Sequence, residues 1–244
     1  MVIAALYISI FLYLYLVFMS DNLEPSGFIL INKPSGPTSH DIIDKLRRIT
    51  GLKKIGHAGT LDPLASGLLI CAIGRAATKQ IDSFVKQDKV YEAEMVLGAT
   101  SDTYDSQGVV IVKDCEPVSR ELIEKTLLKF TGEQDQIPPM YSAKKVAGKK
   151  LYELARQGIE IKREPCRIVI SELELISYEW PKVKIRVACS SGTYIRSLVY
   201  DIGEDLGVGA YMSALLRTRI GSFELAGAVE LEDLSRENWG EYLI

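Results

Sequence analysis

Twelve consecutive residues, Gly56-His57-Ala58-Gly59-Thr60-Leu61-Asp62-Pro63-Leu64-Ala65-Ser66-Gly67, hold three glycines, a proline, one of the chain's two histidines and a single carboxylate. The apolar run Leu68–Ile73 follows at once and reads as a buried strand. A Gly-rich loop pinned to a core strand can hold one side chain in a fixed pose. Here that side chain is Asp62, whose backbone is restricted by the following Pro63. The competing reading is a structural turn in which Asp serves only as a turn former.

A chain of 244 residues, 47% hydrophobic and 25% charged, has ample length to bury a core. Its net charge of -3 argues against a strong polyanion binder. The charge is uneven, however. Basic residues gather at Lys45, Arg47, Arg48, Lys53 and Lys54, at Lys144, Lys145, Lys149 and Lys150, and at Lys162 and Arg163. Each cluster suits a solvated face. Their position beside Gly- and Pro-rich loops also suits a phosphate-contacting surface. The cysteines Cys71, Cys115, Cys166 and Cys189 are far apart, and three lie in apolar or alternating segments, which predicts buried thiols in a reducing compartment. With only His40 and His57 available, no zinc site is expected.

Val2–Met19 carries no charge and is at the short end for a membrane span. It lacks the basic start and small-residue cleavage site of a signal peptide. A membrane anchor, an uncleaved targeting segment and residues upstream of a start at Met19 compete. The last is preferred, since nothing later resembles a membrane protein. The predicted location is cytoplasmic.

Periodicity predicts a strand over Phe28–Ile31 and a helix capped by Thr38 and Asp41 and stopped by Gly51. It predicts a second helix over Arg75–Val85, an alternating strand over Val90–Leu97, a polar loop over Asp102–Gly108 and a helix over Glu121–Phe130. Asp135–Ala147 has no clean period, and Lys149–Gln157 reads as a short helix ended by Gly158. Together they form a basic excursion spanning 135–163. Strands are expected over Arg167–Leu175 and Lys182–Cys189, then a helix after Ser191-Gly192 closed by Gly207. The final stretch offers little pattern. The fold class expected is α+β in one domain, strands coming from both halves.

No phosphate-binding loop, Rossmann fingerprint or nucleophile elbow is present. Cofactor-free chemistry on a carboxylate is what remains. A partly buried aspartate must stay ionised, so a cation must sit beside it. Arg196, near the start of its helix, could pair with Asp62 in a two-point fork. It could equally be a surface arginine.

The chain resembles the TruB family of tRNA pseudouridine synthases. The matching pieces are Asn32-Lys33-Pro34-Ser35-Gly36, the Gly56–Gly67 stretch, Lys89-Val90-Tyr91, Pro139-Met140-Tyr141-Ser142-Ala143-Lys144, Lys149-Lys150-Leu151-Tyr152 and Ser191-Gly192-Thr193-Tyr194-Ile195-Arg196. They occur in the family's order, and the resemblance runs from about Gly27 to Phe223. It implies the pseudouridine synthase fold, a mixed, mostly antiparallel sheet flanked by helices and loops. It also implies isomerisation of uridine-55 in the tRNA T loop without metal or cofactor. By motif position Asp62 corresponds to the nucleophile, Tyr91 to the tyrosine that packs on the target base and takes part in proton removal, and Arg196 to the aspartate's partner. His57 corresponds to a histidine that holds the opened T loop, Lys33 to support near the site, and Leu215 to an apolar wall. Tyr194, Lys144, Lys149 and Lys150 join the RNA-binding set.

The implied organisation is an N-terminal extension over 1–19, a catalytic domain over 27–229 that includes the excursion, and a tail over 230–244. The family commonly adds a PUA domain, for which the tail leaves too little room, so grip on tRNA is expected to be weaker or to rest on the excursion alone. The expected partner is the tRNA T-arm, with no obligate protein partner, and the expected state a monomer. The alternatives are a nucleoside glycosidase, a non-catalytic T-loop binding module and a guide-dependent relative. The glycosidase is disfavoured because the core motif offers one carboxylate where two are usual.

Overall fold

The computed structural model describes residues 25–146 and 148–244. The segment Val2–Met19 lies outside the described residues. Strand β1 (Gly27–Lys33) leads into helix α1 (Ser39–Thr50). The Thr38 hydroxyl accepts from the Asp41 N–H, and the Asp41 carboxylate accepts from the Thr38 N–H. Gly51 ends the helix at φ +73°, where a side chain would be strained. Helix α1 buries Ile42, Ile43 and Leu46. Strand β2 (Ile55–His57) precedes the Asp62 loop, and β3 (Ser66–Ile73) follows it, buried from Gly67 onward.

The helix expected over Arg75–Val85 is two short ones, α2 (Gly74–Thr78) and α3 (Ile81–Val85). Gly74 and Ala77 are their buried residues, Ile81 and Phe84 pack half-buried on the core, and neither helix has a side-chain cap to extend it. Strand β4 (Lys89–Leu97) buries Tyr91, Ala93, Met95 and Leu97 as its alternation predicts. Strands β5 (Ala99–Ser101) and β6 (Val110–Val112) pair around the Asp102–Gly108 loop. Ser119 caps α4 (Arg120–Lys129).

The excursion starts in β7 (Gly132–Gln136) and continues through β8 (Lys145–Val146), β9 (Lys149–Lys150) and α5 (Leu151–Ala155). The helix predicted from Lys149 is therefore shorter, because Lys149 and Lys150 pair with β8. Strands β10 (Cys166–Glu179) and β11 (Lys182–Cys189) form a hairpin, and α6 (Ile195–Asp205) follows. The final stretch, expected to contribute little, supplies β12 (Ala210–Ile220), β13 (Phe223–Glu224) and β14 (Val229–Glu230).

The main sheet runs β14-β1-β3-β12-β4-β11-β10-β7. It is antiparallel except where β1 meets β14 and β3 meets β12. Strand β12 thus sits at the centre, joining the half that carries Asp62 to the half that carries Tyr91. Its pattern is hidden in the sequence by register shifts at Met212/Ala214 and Arg217/Arg219 and by a buried charge, Arg217. Met95, Ile185, Val199 and Leu215 pack on one side; Ile29, Ile42, Leu46 and Leu69 pack under α1. Of the thiols, Cys71 and Cys189 are buried, but Cys115 and Cys166 are only half-buried.

Candidate active site

The Asp62 loop is held from several directions. The Ser39 hydroxyl donates to the Leu61 carbonyl at 3.0 Å and accepts from the Leu61 N–H at 2.9 Å. The Gly36 N–H donates to the Pro63 carbonyl at 2.8 Å, and the Ser35 hydroxyl to the Leu64 carbonyl at 2.9 Å. Lys33, fully buried, donates from Nζ to the carbonyls of Ala65 (2.6 Å) and Pro34 (2.8 Å). Burial lowers its pKa to about 8, with the Asp62 charge pulling the other way. Lys33 therefore supports the loop from behind.

Helix α6 brings Arg196 to this loop. Its entry is clamped to β7: the Gln136 amide donates to the Tyr194 carbonyl, and the Tyr194 N–H donates to Gln136 Oε1. Arg196 Nε lies 2.9 Å from Asp62 Oδ2 and 3.6 Å from Asp105 Oδ2. Its Nη1 donates to the Thr103 carbonyl (3.1 Å) and Nη2 to the Tyr141 carbonyl (2.7 Å). The expected two-point fork is thus a one-point contact, because backbone carbonyls occupy the two outer nitrogens. Arg196 and Asp105 are 6% and 4% exposed, whereas Asp62 is 38% exposed. The arginine is locked inside while the aspartate faces out.

Asp105 was not legible as a site residue; the Asp102–Gly108 stretch reads simply as a polar loop. Its carboxylate also accepts from the Thr103 hydroxyl (2.7 Å) and the Gln107 N–H (3.0 Å). The premise of a lone carboxylate is therefore corrected: a second one lies beside Arg196.

Asp62 opens on a cleft of about 330 Å³ whose walls include Tyr91, Tyr194, Arg196, Leu215 and Lys89. Tyr91 is 7% exposed, and burial raises its phenol pKa. Burial, then the nearby Arg217 charge, lowers the Lys89 pKa to about 8. Arg217, also missed in the sequence, is buried at the cleft wall. Its Nε donates to the Leu68 carbonyl (2.8 Å) and its Nη2 to the Gly59 carbonyl (3.1 Å).

The structure therefore brings together Asp62, Tyr91, Tyr194, Arg196 and Leu215. It does not bring His57 to the cleft wall. That side chain is half-buried on β2, its Nδ1 has no partner among the described residues, and burial lowers its pKa. Lys144 lies 2.6 Å from Cys166 Sγ through its Nζ, Lys149 is exposed, and Lys150 rests on the Tyr152 ring and hydroxyl. These lysines stand on the excursion, which reaches the cleft through Ser142 and Ala143.

Residues 47–195 match the N-terminal domain of the TruB family of pseudouridylate synthases, and residues 196–242 match a tRNA pseudouridylate synthase B C-terminal domain. The chain is 50% identical over 197 residues to tRNA pseudouridine synthase B of Protochlamydia amoebophila, covering 81% of this chain and 75% of the relative. It is 49% identical over 218 residues to the protein of that name in Clostridium acetobutylicum, covering 89% and 75%. Among solved structures, a Cbf5-Nop10-Gar1 complex contains a similar chain, with TM-score 0.68 and 34% identity. That match covers 85% of this chain, which spans about half the length of the solved one (53%). On the match of both domains and the identity to these relatives, the chain belongs to the TruB family of pseudouridylate synthases.

Proposed function

We propose that this protein isomerises uridine-55 of the tRNA T loop to pseudouridine, with Asp62 as nucleophile. The observation that carries this reading is the exposed Asp62 carboxylate, 2.9 Å from a buried guanidinium and facing a cleft with an aromatic wall. A guanidinium held this way orients the carboxylate without hiding it.

A uridine can reach Asp62 only by leaving its stack, which costs a few kcal/mol. Stacking on the Tyr91 ring returns about 1–3 kcal/mol. Leu215 closes the apolar side of the cleft and excludes water. The C1′–N1 bond breaks, the base rotates, and C1′ bonds to C5. C5 gives up its proton and N1 gains one, so the mass is unchanged. No cofactor enters this scheme, since every atom moved belongs to the nucleotide.

Lys144, Lys149 and Lys150 grip the T-arm backbone from the 135–163 excursion, which explains a basic cluster on an acidic chain. His57 and Tyr194 support the opened loop, and Lys33 supports the Asp62 loop. We assign residues 27–229 as the catalytic domain, which acts as a monomer in the cytoplasm without a protein partner. Among the described residues no helix is long and apolar enough to cross a membrane.

The glycosidase reading gains a second carboxyl in Asp105 but cannot use it. Asp105 is buried and is not part of the cleft wall, so it cannot reach a leaving base. Incubation of the protein with a T-arm RNA, followed by mass measurement and positional mapping, separates the two. Isomerisation leaves the mass unchanged and places pseudouridine at one T-loop position. Loss of the base would refute the assignment.

A further inference from the structure

Arg217 is a buried cation that neither the nucleophile nor the RNA grip accounts for. It is 1% exposed, and no carboxylate pairs with it among the described residues. Strand β12 places it in register with Gly67 of β3 on one side and Tyr91 of β4 on the other. The strands approach closely there. A Cβ on Gly67 would collide with the Arg217 carbonyl oxygen, and Gly67 has φ +99°. The guanidinium holds the Leu68 carbonyl through Nε and the Gly59 carbonyl, at the start of the Asp62 loop, through Nη2. Tyr91 faces it across the β12–β4 pairing, and both residues line the cleft. A charge buried this deeply is expensive unless its partners are fixed. Its partners belong to the loop that bears the nucleophile, and its neighbour Tyr91 to the aromatic wall of the cleft.

We infer that Arg217 is a positioning residue that locks the Tyr91 phenol to the Asp62 loop, so that the phenol oxygen meets C5 when its proton must leave. The inference rests on the isomerase reading above. In that step the Tyr91 phenol gives its proton to N1, the C5–H bond breaks, the C5 proton passes to the resulting phenolate oxygen, and the electron pair restores the C5–C6 double bond. A guanidinium beside the oxygen stabilises the phenolate and fixes its direction. Burial acts against the phenolate and Arg217 acts for it, while Cys189 and Asp62 add to the burial effect.

The test uses single-turnover kinetics on T-arm RNA carrying uridine or 5-deuterouridine at the target, with wild type, Arg217→Lys and Arg217→Met. Pseudouridine formed by wild type establishes the isomerase reading independently of Arg217. Arg217→Met should then slow turnover about 100-fold with RNA affinity nearly unchanged, because loss of a positioned proton acceptor falls in this range. The deuterium isotope effect should rise as deprotonation becomes rate-limiting. Arg217→Lys keeps the charge but not the fork and should recover part of the rate. If Arg217→Met fails to fold, Arg217→Lys alone decides, and it should be slower than wild type with a raised isotope effect. Wild-type rates in the folded variants, or a slowed rate with the isotope effect of the wild type, would overturn the inference.

Discussion

Asp62 sits in a loop whose neighbours Leu61, Pro63, Leu64 and Ala65 are each hydrogen-bonded to β1, α1 or the turn between them. Lys149 and Lys150 sit on a two-residue pairing with Lys145 and Val146. In the first region the lysines are buried and their charge is disfavoured; Lys33 and Lys89 both fall to about 8. In the second, Lys150 is pushed the other way by the Tyr152 hydroxyl. Rigid placement serves bond breaking, where a small displacement is costly. Exposed charge on a small surface pairing serves capture of a polyanion, where placement matters less. The two regions should therefore fail differently.

The largest effect falls on the rigid region. Asp62→Asn should lower turnover by at least about 10³-fold, because it removes the nucleophile without removing its partners. T-arm RNA binding, read by filter retention, should persist. Arg196→Ala should also lose most activity. Because it leaves the buried Asp105 carboxylate uncompensated, it should cost about 3–5 kcal/mol in denaturant unfolding. Stability within 1 kcal/mol of wild type would break the contrast.

The excursion should respond more mildly. The double variant Lys149→Ala/Lys150→Ala should weaken RNA binding roughly tenfold and flatten the salt dependence by about two phosphate contacts. A loss of turnover at saturating RNA would place these lysines in the chemistry instead. The smallest effect is one of pH. The folded pKa of Lys33 lies below its unfolded value, so the folded chain releases that proton first. Stability is lowest while Lys33 is charged in both states and should climb above pH 8, by about 1–2 kcal/mol up to pH 9.5. Lys33→Met should remove the Lys33 share of that rise in urea titrations across this range and leave the share Lys89 supplies, whereas Lys149→Ala should leave the whole rise unchanged.

The two regions were also unequally legible. Local signals carried α1, with its Thr38–Asp41 box, the alternation of β4 and the buried run of β3. The Asp62 loop stood out because its glycines and proline mark backbone demands that local chemistry explains. Arg196 could be nominated by position but not by geometry, since the carbonyls that take its outer nitrogens come from the Asp102–Gly108 loop and the excursion. Asp105 was invisible for the same reason: only the fold brings that loop to α6. Strand β12 was lost because two bulges and a buried arginine disguise its period. Arg217, its most buried charge, went with it.

The most direct measurement separates rate from affinity in both regions at once. Single-turnover rates at saturating T-arm RNA and dissociation constants are measured for wild type, Asp62→Asn and Lys149→Ala/Lys150→Ala. The account predicts that Asp62→Asn keeps its affinity and loses its rate, while the double variant loses affinity and keeps its rate. Turnover by Asp62→Asn near the wild-type rate would contradict it.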